Sequence, residues 1–442
     1  MLDGLDELCT EALARHGCAS VSVAVAERDE VVFTRAWGQA DLATRRPATP
    51  ETVYGLASVT KAFTATAVRL AAAEGLLDLD SPVPGRFDRG APTPRQLLLH
   101  RGGLPAFYDF HYGTGPRPVR AERYRAQVRA PGTDFEYANL GYQELADLLE
   151  RTTGRPFATF LRDRIATPLG LTGFTHGAAG PAPDSTAVAT RYSAAGRAYP
   201  TCRTGHPAAT AAWATAADIA LFARTSARLV ASAPEDAEPL NAHTGYGYGR
   251  LVSRGPGPLV LSHGGGMGGV AAMMIDFPEQ EVSLAVLTNS TDKSTRDLVV
   301  RHLGTGLVPG FDPERHLDTG SDASRPADLP AGRWSGGITT PEGPVPLRLD
   351  LLPPDRVRIH LAGAPPITCG ATASTRHDLQ ATAPLQLPTA DARLNSPHLG
   401  LALGFRQGAL TGRAVAYKPD DREGFLGSYL PHSCTLRPLD HG

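Results

Sequence analysis

The stretch Tyr54-Gly-Leu-Ala-Ser58-Val-Thr-Lys61-Ala-Phe-Thr64 decides how this 442-residue chain is interpreted. Ser58 follows a short apolar run and stands just before residues 62–77, whose Ala, Val and Leu content predicts a buried helix with a stop at Gly75. Lys61 then projects from the same face as Ser58, one turn later. A serine becomes nucleophilic when a base takes its proton, and an amine whose pKa is lowered by burial is such a base. The spacing therefore predicts a nucleophilic serine at a helix N-terminus.

The composition excludes several classes of protein. The formal net charge is −2 and charged residues make up 20% of the chain, so nothing indicates binding to nucleic acid or to an anionic membrane. No apolar run reaches the length of a membrane span, and the acidic start of residues 1–7 lacks the basic region of a secretion signal. The five cysteines are scattered and form no Cys-x-x-Cys pair. We therefore expect a cytoplasmic protein that holds no metal ion and no cofactor.

Helix and strand patterns alternate over residues 1–305. An N-terminal helix precedes two segments, Val21–Val25 and Val31–Trp37, that predict a hairpin. Four short apolar segments then predict strands at Tyr246–Val252, Leu259–His263, Val270–Phe277 and Val282–Thr288. Further helices are predicted at Arg95–His100, Gly141–Thr153, Pro156–Ala166, Thr215–Phe222 and Ser294–Leu303, with a long loop at Ala106–Gly132. The pattern predicts an α+β domain with an antiparallel sheet of about five strands, flanked by helices.

The pattern changes after residue 305. Residues 306–330 are rich in Pro, Asp, Ser and Gly and predict a linker. Residues 331–442 contain short segments in which apolar and polar positions alternate, such as Leu347–Leu351 and Val357–Leu361. One apolar and one polar face, repeated over about 110 residues, predicts a small antiparallel barrel or sandwich.

Two further motifs accompany Ser58 and Lys61. Glu136-Tyr137-Ala138-Asn139 lies at the end of the irregular loop, and Ser262-His263-Gly264-Gly265-Gly266 lies at the end of a predicted strand. Ser-x-x-Lys, then Tyr-x-Asn, then a basic residue with glycines at a strand end, in this order, resembles the penicillin-binding and β-lactamase serine hydrolases. Additional similarity is spread over Arg95–Leu104, Tyr137–Tyr142, Pro168–Leu171 and Thr215–Asp218.

Residues 1 to about 305 thus resemble the class C β-lactamase and DD-peptidase family. The resemblance implies a β-lactamase-like domain, with a sheet and a helical subdomain, that forms an acyl-enzyme on Ser58. It implies that Lys61 accepts the serine proton or keeps the local field positive. Tyr137 would be the base that activates the second nucleophile, if its phenol is ionised or shares a proton with Lys61. Asn139 would hold Lys61 and the substrate amide.

The third motif departs from the β-lactamases. His263 stands where the β-lactamases of this family carry lysine, which removes a permanent cation for a β-lactam carboxylate and argues against true β-lactamase activity. The resemblance implies an oxyanion hole made by the backbone N–H groups of Ser58 and Gly266, while Gly264, Gly265 and Gly266 let the substrate approach. Residues 208–213 are bulkier than the Gly-Gly pair that family members often carry before the Thr-Ala-x-Asp helix.

Other interpretations are weaker. Residues 264–269 match the G-x-G-x-x-G dinucleotide fingerprint, but a strand instead of a helix is predicted to follow them. His100 and His111 have no partner at metal-ligand spacing and are interpreted as structural. Ser58 is not in a Gly-x-Ser-x-Gly elbow, because Leu56 and Thr60 occupy the glycine positions.

Three functions remain. The preferred one is that of the penicillin-binding-protein-type thioesterases, which the chain resembles in having histidine in the third motif and an appended lipocalin-like barrel. Such an enzyme takes a small peptide, delivered as a thioester by a peptidyl carrier protein, onto serine and releases it as a macrolactam. The barrel would shield the acyl-enzyme from water. The second is a hydrolase that uses water: an esterase, D-aminopeptidase or D-stereospecific amidase, with DD-carboxypeptidase or β-lactamase less favoured. The third is an inactive sensor or binding module.

Overall fold

The computed structural model describes residues 4–113, 119–177, 187–230, 236–253, 255–320 and 324–439. Residues 114–118 of the predicted loop and 321–323 of the predicted linker lie outside this description. The helices are α1 (Leu5–His16), α2 (Thr60–Ala73), α3 (Pro94–Leu98), α4 (Asn139–Thr153), α5 (Phe157–Leu161), α6 (Thr167–Leu169), α7 (Pro207–Thr210), α8 (Ala216–Thr225), α9 (Ser294–Leu307), α10 (Pro313–His316) and α11 (Ala390–Asn395).

The strands of the N-terminal part form one large sheet and two small ones. They are β1 (Ser20–Glu27), β2 (Glu30–Asp41), β3 (Arg46–Pro47), β4 (Tyr54–Gly55), β5 (His111–Tyr112), β6 (Thr175–His176), β7 (Cys202–Arg203), β8 (Ala212–Ala214), β9 (Glu238–Pro239), β10 (Thr244–Gly247), β11 (Arg250–Ser253), β12 (Leu261–Met267), β13 (Val270–Phe277) and β14 (Val282–Thr288). The large sheet is antiparallel in the order β3-β2-β1-β14-β13-β12-β11-β10-β9.

Within the described residues the sheet has nine strands, so the expected number of about five was wrong. The segment predicted as one strand at Tyr246–Val252 is a hairpin, in which β10 and β11 pair around Tyr248 and Gly249. Both turn residues have positive φ, 47° and 81°, which is the backbone twist of a tight hairpin. Strands from both ends of the domain meet in this sheet, because β1 pairs with β14.

Strand β1 shows why the sheet is covered on both faces. Val21, Val23 and Val25 pack into a cluster that includes residues of α1 and α9. Ala24 and Ala26 point to the opposite face and pack with residues of α8. Since side chains alternate along a strand, apolar residues at every position require helices on both sides. The small alanines let α8 approach closely.

Helix α2 anchors the segment that carries Ser58. Ten of its fourteen residues are buried. The ring of Phe63 stacks between those of Phe174 and Phe222, with centroid distances of 4.5 and 3.7 Å. A helix buried nearly all round has no freedom to shift, so the residues at its N-terminus are held in place.

The C-terminal part is a closed barrel. Its strands are β15 (Arg325–Pro326), β16 (Gly332–Thr340), β17 (Gly343–Leu352), β18 (Arg356–Leu361), β19 (Ile367–Ala373), β20 (Leu379–Ala383), β21 (His398–Arg406), β22 (Ala409–Tyr417) and β23 (Leu430–Pro438). Each strand from β16 to β23 pairs with its neighbours in the chain, and β16 pairs with β23, which closes an eight-stranded antiparallel barrel. The predicted barrel is confirmed, while its lipocalin likeness stays a prediction.

The barrel packs on the loop that leads to the second motif. Tyr108 and Tyr429 exchange two backbone hydrogen bonds, of 3.1 and 2.8 Å. The phenol of Tyr124 donates to Asp391 over 2.8 Å. The barrel therefore supports the segment that ends at residue 139. Among the described residues, no helix is long and apolar enough to cross a membrane.

Candidate active site

Ser58 lies in a strained turn at the start of α2. It is the middle residue of a 3₁₀ turn, Ala57–Val59, that runs into the helix, as the sequence predicted. Ala57 has φ of 46°, a left-handed conformation that is unfavourable for a residue with a Cβ. Strain of this kind persists where the surrounding structure enforces it, and it is typical of functional sites. The helix N-terminus also directs positive potential toward the serine.

Lys61 is the neighbour of Ser58 that the sequence predicted. Its Nζ lies 3.2 Å from Ser58 Oγ and 3.2 Å from the carbonyl oxygen of Ala209, to which it donates. The side chain is fully buried, and desolvation lowers its pKa well below the ordinary value of 10.5. A neutral amine next to a hydroxyl can accept the hydroxyl proton. Ser58 and Lys61 are thus arranged as nucleophile and base.

Tyr137 completes the group around Ser58. Its phenol interacts with the side chain of Ser58, and its ring centroid lies 4.7 Å from Lys61 Nζ. Burial, and then the neighbouring Tyr108, raise the pKa of Tyr137 well above 10. The resting phenol is therefore protonated, and the ionised form considered from the sequence is disfavoured. A protonated phenol beside a neutral amine can return a proton to a leaving group and take one back later.

Asn139 lies in the site but does not hold Lys61 as expected. Its Nδ2 donates to the carbonyl oxygen of Phe107 over 3.0 Å. Lys61 donates to Ala209 O instead. The Oδ1 of Asn139 is buried and has no hydrogen-bond partner. A buried acceptor is normally satisfied, so this oxygen is an exception, and the expected contact of Asn139 with the substrate amide stays a prediction.

His263 is buried and neutral. Its Nδ1 lies 2.8 Å from the carbonyl oxygen of Gly264, which can only accept, so Nδ1 carries the proton. Nε2 then accepts from the hydroxyl of Tyr246 over 3.1 Å. Desolvation, and then the proximity of Lys61, lower the pKa of His263 to about 3. The residue therefore supplies no positive charge near neutral pH.

The glycines of β12 bring this strand against the turn that holds Ser58. A Cβ on Gly265 would stand 2.1 Å from the carbonyl oxygen of Leu56, so only glycine fits there. Gly264 and Gly266 are exposed on the opposite face, and all three line the cavity next to Ser58. Their predicted part in the oxyanion hole stays a prediction. Strand β13 follows, which excludes the dinucleotide-binding interpretation.

His100 was predicted to be structural, and it is buried against the aromatic rings of the site without lining the cavity. Its ring centroid is 4.3 Å from that of Tyr137 and 4.7 Å from that of Tyr246. Its Nδ1 accepts from the N–H of Ala138 over 3.1 Å, and its carbonyl accepts from the N–H of Glu136 over 2.8 Å. It thus holds the backbone on both sides of Tyr137. His111 lies on β5 and does not line this cavity.

A cavity of about 610 Å³ opens in front of Ser58. Its walls are largely aromatic and aliphatic, and the linker contributes Leu317 and Thr319. The lining residues are Ser58, Tyr108, Phe135, Tyr137, Leu240, Tyr246, Leu251, Ser262, His263, Gly264, Gly265, Gly266, Met273, Lys293, Arg296, Leu317 and Thr319. None of these described lining residues belongs to the barrel, and the expected shielding of the acyl-enzyme by the barrel stays a prediction. The barrel contacts the site indirectly, because Tyr429 is hydrogen-bonded to the backbone of Tyr108, which lines the cavity.

Comparison with known proteins agrees with this geometry. Residues 5–304 match the beta-lactamase family. D-aminopeptidases from Brucella canis and Brucella anthropi are 34% identical over 163 residues, which is 34% of this chain and 31% of each relative. The alignment therefore spans about a third of the length of these curated relatives.

Solved structures resemble the chain in fold. SurE with D-Leu is 22% identical, covers 99% of both chains and gives a TM-score of 0.63. The octameric penicillin-binding protein homologue from Pyrococcus abyssi is 20% identical, over 99% of this chain and 100% of that one, with a TM-score of 0.61. D-amino acid amidase from Ochrobactrum anthropi SV3, complexed with L-phenylalanine amide, is 25% identical over 69% of this chain and 99% of its own, with a TM-score of 0.56.

Proposed function

This chain belongs to the beta-lactamase family, and on that premise we propose that it transfers a peptidyl group from a thioester to Ser58 and then to an amine of the same peptide, releasing a macrolactam. The protein forms an acyl-enzyme on serine and then resolves it. This follows from the family and from the geometry of Ser58, Lys61 and Tyr137. The observation that carries the proposal is the neutral, buried amine 3.2 Å from the serine oxygen.

In the acylation step, the lowered pKa of Lys61 and the raised pKa of Tyr137 determine which group accepts and which donates a proton. The neutral amine of Lys61 takes the proton of Ser58 as Oγ attacks the thioester carbonyl. The tetrahedral oxyanion accepts hydrogen bonds from the backbone N–H groups of Ser58 and Gly266. When the carbon–sulfur bond breaks, the thiolate takes a proton from the phenol of Tyr137, and the ammonium of Lys61 restores that phenol. The site returns to a neutral amine and a protonated phenol.

Release uses the same groups. The peptide's own amine attacks the ester carbonyl of acylated Ser58, and the amine's proton passes to Lys61 as the new amide bond forms. The breaking carbon–oxygen bond leaves the serine alkoxide, which regains a proton through Tyr137. The amine competes with water because the bound peptide holds it at high effective concentration.

The charge of the cavity favours a peptidyl donor over a free amino acid derivative. An aminopeptidase has to accommodate the free ammonium group of its substrate, which calls for a carboxylate. The described lining contains no Asp or Glu, whereas it contains Lys293 and Arg296. A cavity of about 610 Å³ with apolar walls suits a peptide whose amine is not held beside the scissile bond.

The names of similar proteins support a D-configured residue at the acyl position. SurE was solved with D-Leu, and both the amidase and the aminopeptidases are named for D-amino acids. We extend that preference to this chain, and with it delivery of the peptide as a thioester on a carrier protein. The second candidate is a D-stereospecific amidase or esterase that uses water, which the similarity to D-amino acid amidase favours.

The deciding experiment uses a linear peptidyl thioester with a D-residue at its C-terminus. We expect the protein to release a product whose mass is that of the peptidyl thioester minus the thiol, which is the mass of the macrolactam. The epimer with an L-residue at the C-terminus serves as the matched substrate, and Ser58→Ala as the enzyme control. If the linear acid were the only product, the proposed cyclase activity would be wrong and the hydrolase would be the supported function.

A further inference from the structure

A second cavity lies next to the loop that leads to Tyr137. Its volume is about 910 Å³, and it lies between residues 128–134 of that loop and the outer face of the barrel. Asp134 lines this cavity, whereas Phe135, the next residue, lines the active-site cavity. We call the second cavity the arginine groove, because its lining includes Arg89, Arg129, Arg376, Arg406 and Arg413.

Two of these arginines are compensated by carboxylates. Arg129 forms an ion pair with Asp134, and Arg413 forms one with Glu136. Arg129 also approaches Glu136, at 3.4 Å. Asp134 is the single carboxylate among the described residues that line the groove. The charges of Arg129 and Arg413 are thus balanced within the protein.

The other three arginines have no such compensation. Arg376 and Arg406, from the barrel, are exposed, and their guanidinium groups have neither an ion pair nor a hydrogen bond among the described residues. Arg89, from the N-terminal part, donates through its Nε to the carbonyl oxygen of Gln127 over 2.8 Å, which leaves its charge unbalanced. Asp378 lies near Arg406 but forms no ion pair with it in the described part of the chain. Guanidinium groups on two sides of the groove are therefore left without an anion.

The floor of the groove consists of small polar residues on the outside of the barrel. Gly404 on β21, Thr411 on β22 and Thr435 on β23 lie opposite one another across the strands. Ser433 lies opposite Arg413 in the neighbouring row. Side chains alternate along a strand, so the apolar neighbours of these residues fill the barrel core while these positions face outward. Small side chains leave a depression here, and their hydroxyl groups can donate hydrogen bonds to a ligand.

The groups around the groove favour a phosphorylated ligand. A guanidinium group binds phosphate through two parallel hydrogen bonds, and hydroxyl donors bind the remaining oxygens. The described lining contains no Phe, Tyr or Trp, so it offers no apolar platform for a large side chain. Three uncompensated charges exceed what a single carboxylate neutralises. They match a ligand with two or more negative charges.

We propose that the arginine groove binds a small phosphorylated molecule with at least two negative charges, and that this ligand bridges the barrel and the N-terminal part. Arg376 and Arg406 bind it from the barrel, and Arg89 binds it from the opposite side. The described linings of the groove and of the active-site cavity share no residue, so the proposal does not rest on the proposed function. The ligand nevertheless lies close to the catalytic loop, because the groove contains the two arginines that hold Glu136, the residue before Tyr137.

The test is a calorimetric titration of the full chain with inorganic pyrophosphate at constant ionic strength, with inorganic phosphate as the comparison. We expect pyrophosphate to bind about tenfold more tightly than phosphate, because it offers more charge and more oxygens to the same arginines. Bound pyrophosphate should also raise the midpoint of thermal unfolding. A protein that does not bind pyrophosphate, or that binds the two anions equally, would overturn the proposal.

Two double variants locate the site. Arg376→Gln with Arg406→Gln removes two of the uncompensated charges and should weaken pyrophosphate binding by about tenfold or more. The matched control is Arg356→Gln with Arg358→Gln, which removes the same charge from exposed positions of β18, four strands away from β22. It should change the affinity by less than about twofold, because solvent and salt screen distant charges.

Thermal unfolding without pyrophosphate shows whether the variants are intact. All four substituted positions are exposed, so both double variants should unfold at the temperature of the wild type. An equal loss of affinity in the two double variants would show that pyrophosphate responds to net charge alone, and it would overturn the groove as the binding site.

Discussion

Arg413, on strand β22 of the barrel, forms an ion pair with Glu136, the residue just before Tyr137. Both side chains are largely buried, with 18% and 7% of their surfaces exposed, and Arg129 approaches the same carboxylate at 3.4 Å. Through this ion pair the barrel contacts the residue next to Tyr137, although no barrel residue is among the described residues that line the cavity. The position of the Tyr137 phenol therefore depends on the C-terminal part of the chain.

Removal of the Arg413 guanidinium should affect both stability and turnover. Arg413→Met leaves the buried Glu136 carboxylate with Arg129 and the N–H of Ala106 as partners among the described residues, and we expect a loss of about 2 kcal/mol in the free energy of unfolding. The turnover number should fall more than the affinity for substrate, because Tyr137 shifts. Denaturant unfolding and steady-state kinetics measure the two effects. Arg437→Met, on the exposed face of β23, is the control. An unchanged turnover number would contradict the claim that the position of Tyr137 depends on the barrel.

Lys61→Met should inactivate the protein and make it more stable. The pKa of Lys61 is lowered in the folded state, so between that value and about 10.5 the unfolded chain binds a proton that the folded chain does not. Folding is opposed by this difference, and the free energy of unfolding rises with pH across the window. We expect the variant to be more stable than the wild type at pH 7 and to lose that slope. A variant whose stability rises with pH as steeply as that of the wild type would contradict the lowered pKa of Lys61.

His263 should make the fold sensitive to acid. Its pKa falls from 6.5 to about 3 on folding, so between these values the unfolded chain takes up a proton and the folded chain does not. Stability is lost as the pH falls through this window, and His263→Gln should reduce the loss between pH 6.5 and pH 4. Thermal unfolding at a series of pH values tests this. His243→Gln, at an exposed position, should leave the acid dependence as it is in the wild type. If thermal stability depended on pH equally steeply in the two variants, this would contradict a neutral His263.

Gly265→Ala should disrupt the site through the backbone. The added Cβ would stand 2.1 Å from Leu56 O, so β12 and the turn that carries Ser58 would have to separate. We expect slower labelling of Ser58 by a fluorophosphonate, by about tenfold or more, since loss of one oxyanion donor has a similar or larger effect. Gly370→Ala, on barrel strand β19 with open space around it, is the matched control. Equal labelling rates in the two variants would contradict the close approach of β12 to the turn.

The sequence predicted the elements that rest on periodicity and caps. The apolar run of α2, the alternation in β17 and the order of the three motifs placed Ser58, Lys61 and Tyr137 in one pocket and predicted a barrel after them. These features depend on local pattern and on spacing, which a single sequence contains.

What depends on packing could not be predicted. Nothing in the sequence indicates that His100, 37 residues before Tyr137, holds the backbone on both sides of it, or that Lys61 donates to Ala209 and not to Asn139. The charge state of Tyr137 follows from burial, which only the folded chain defines. The hairpin at Tyr248 and Gly249 was missed because a turn with tyrosine at positive φ has a weak sequence signal.

The central claim is that Ser58 becomes acylated. Intact-protein mass spectrometry after rapid mixing with the peptidyl thioester, followed by digestion, tests it directly. We predict that the wild type gains the mass of the peptidyl thioester minus that of the released thiol, and that this mass is on the fragment that contains Ser58. The Ser58→Ala variant should gain no mass. Product formed at the wild-type rate by Ser58→Ala, or the added mass on any other residue, would contradict the account.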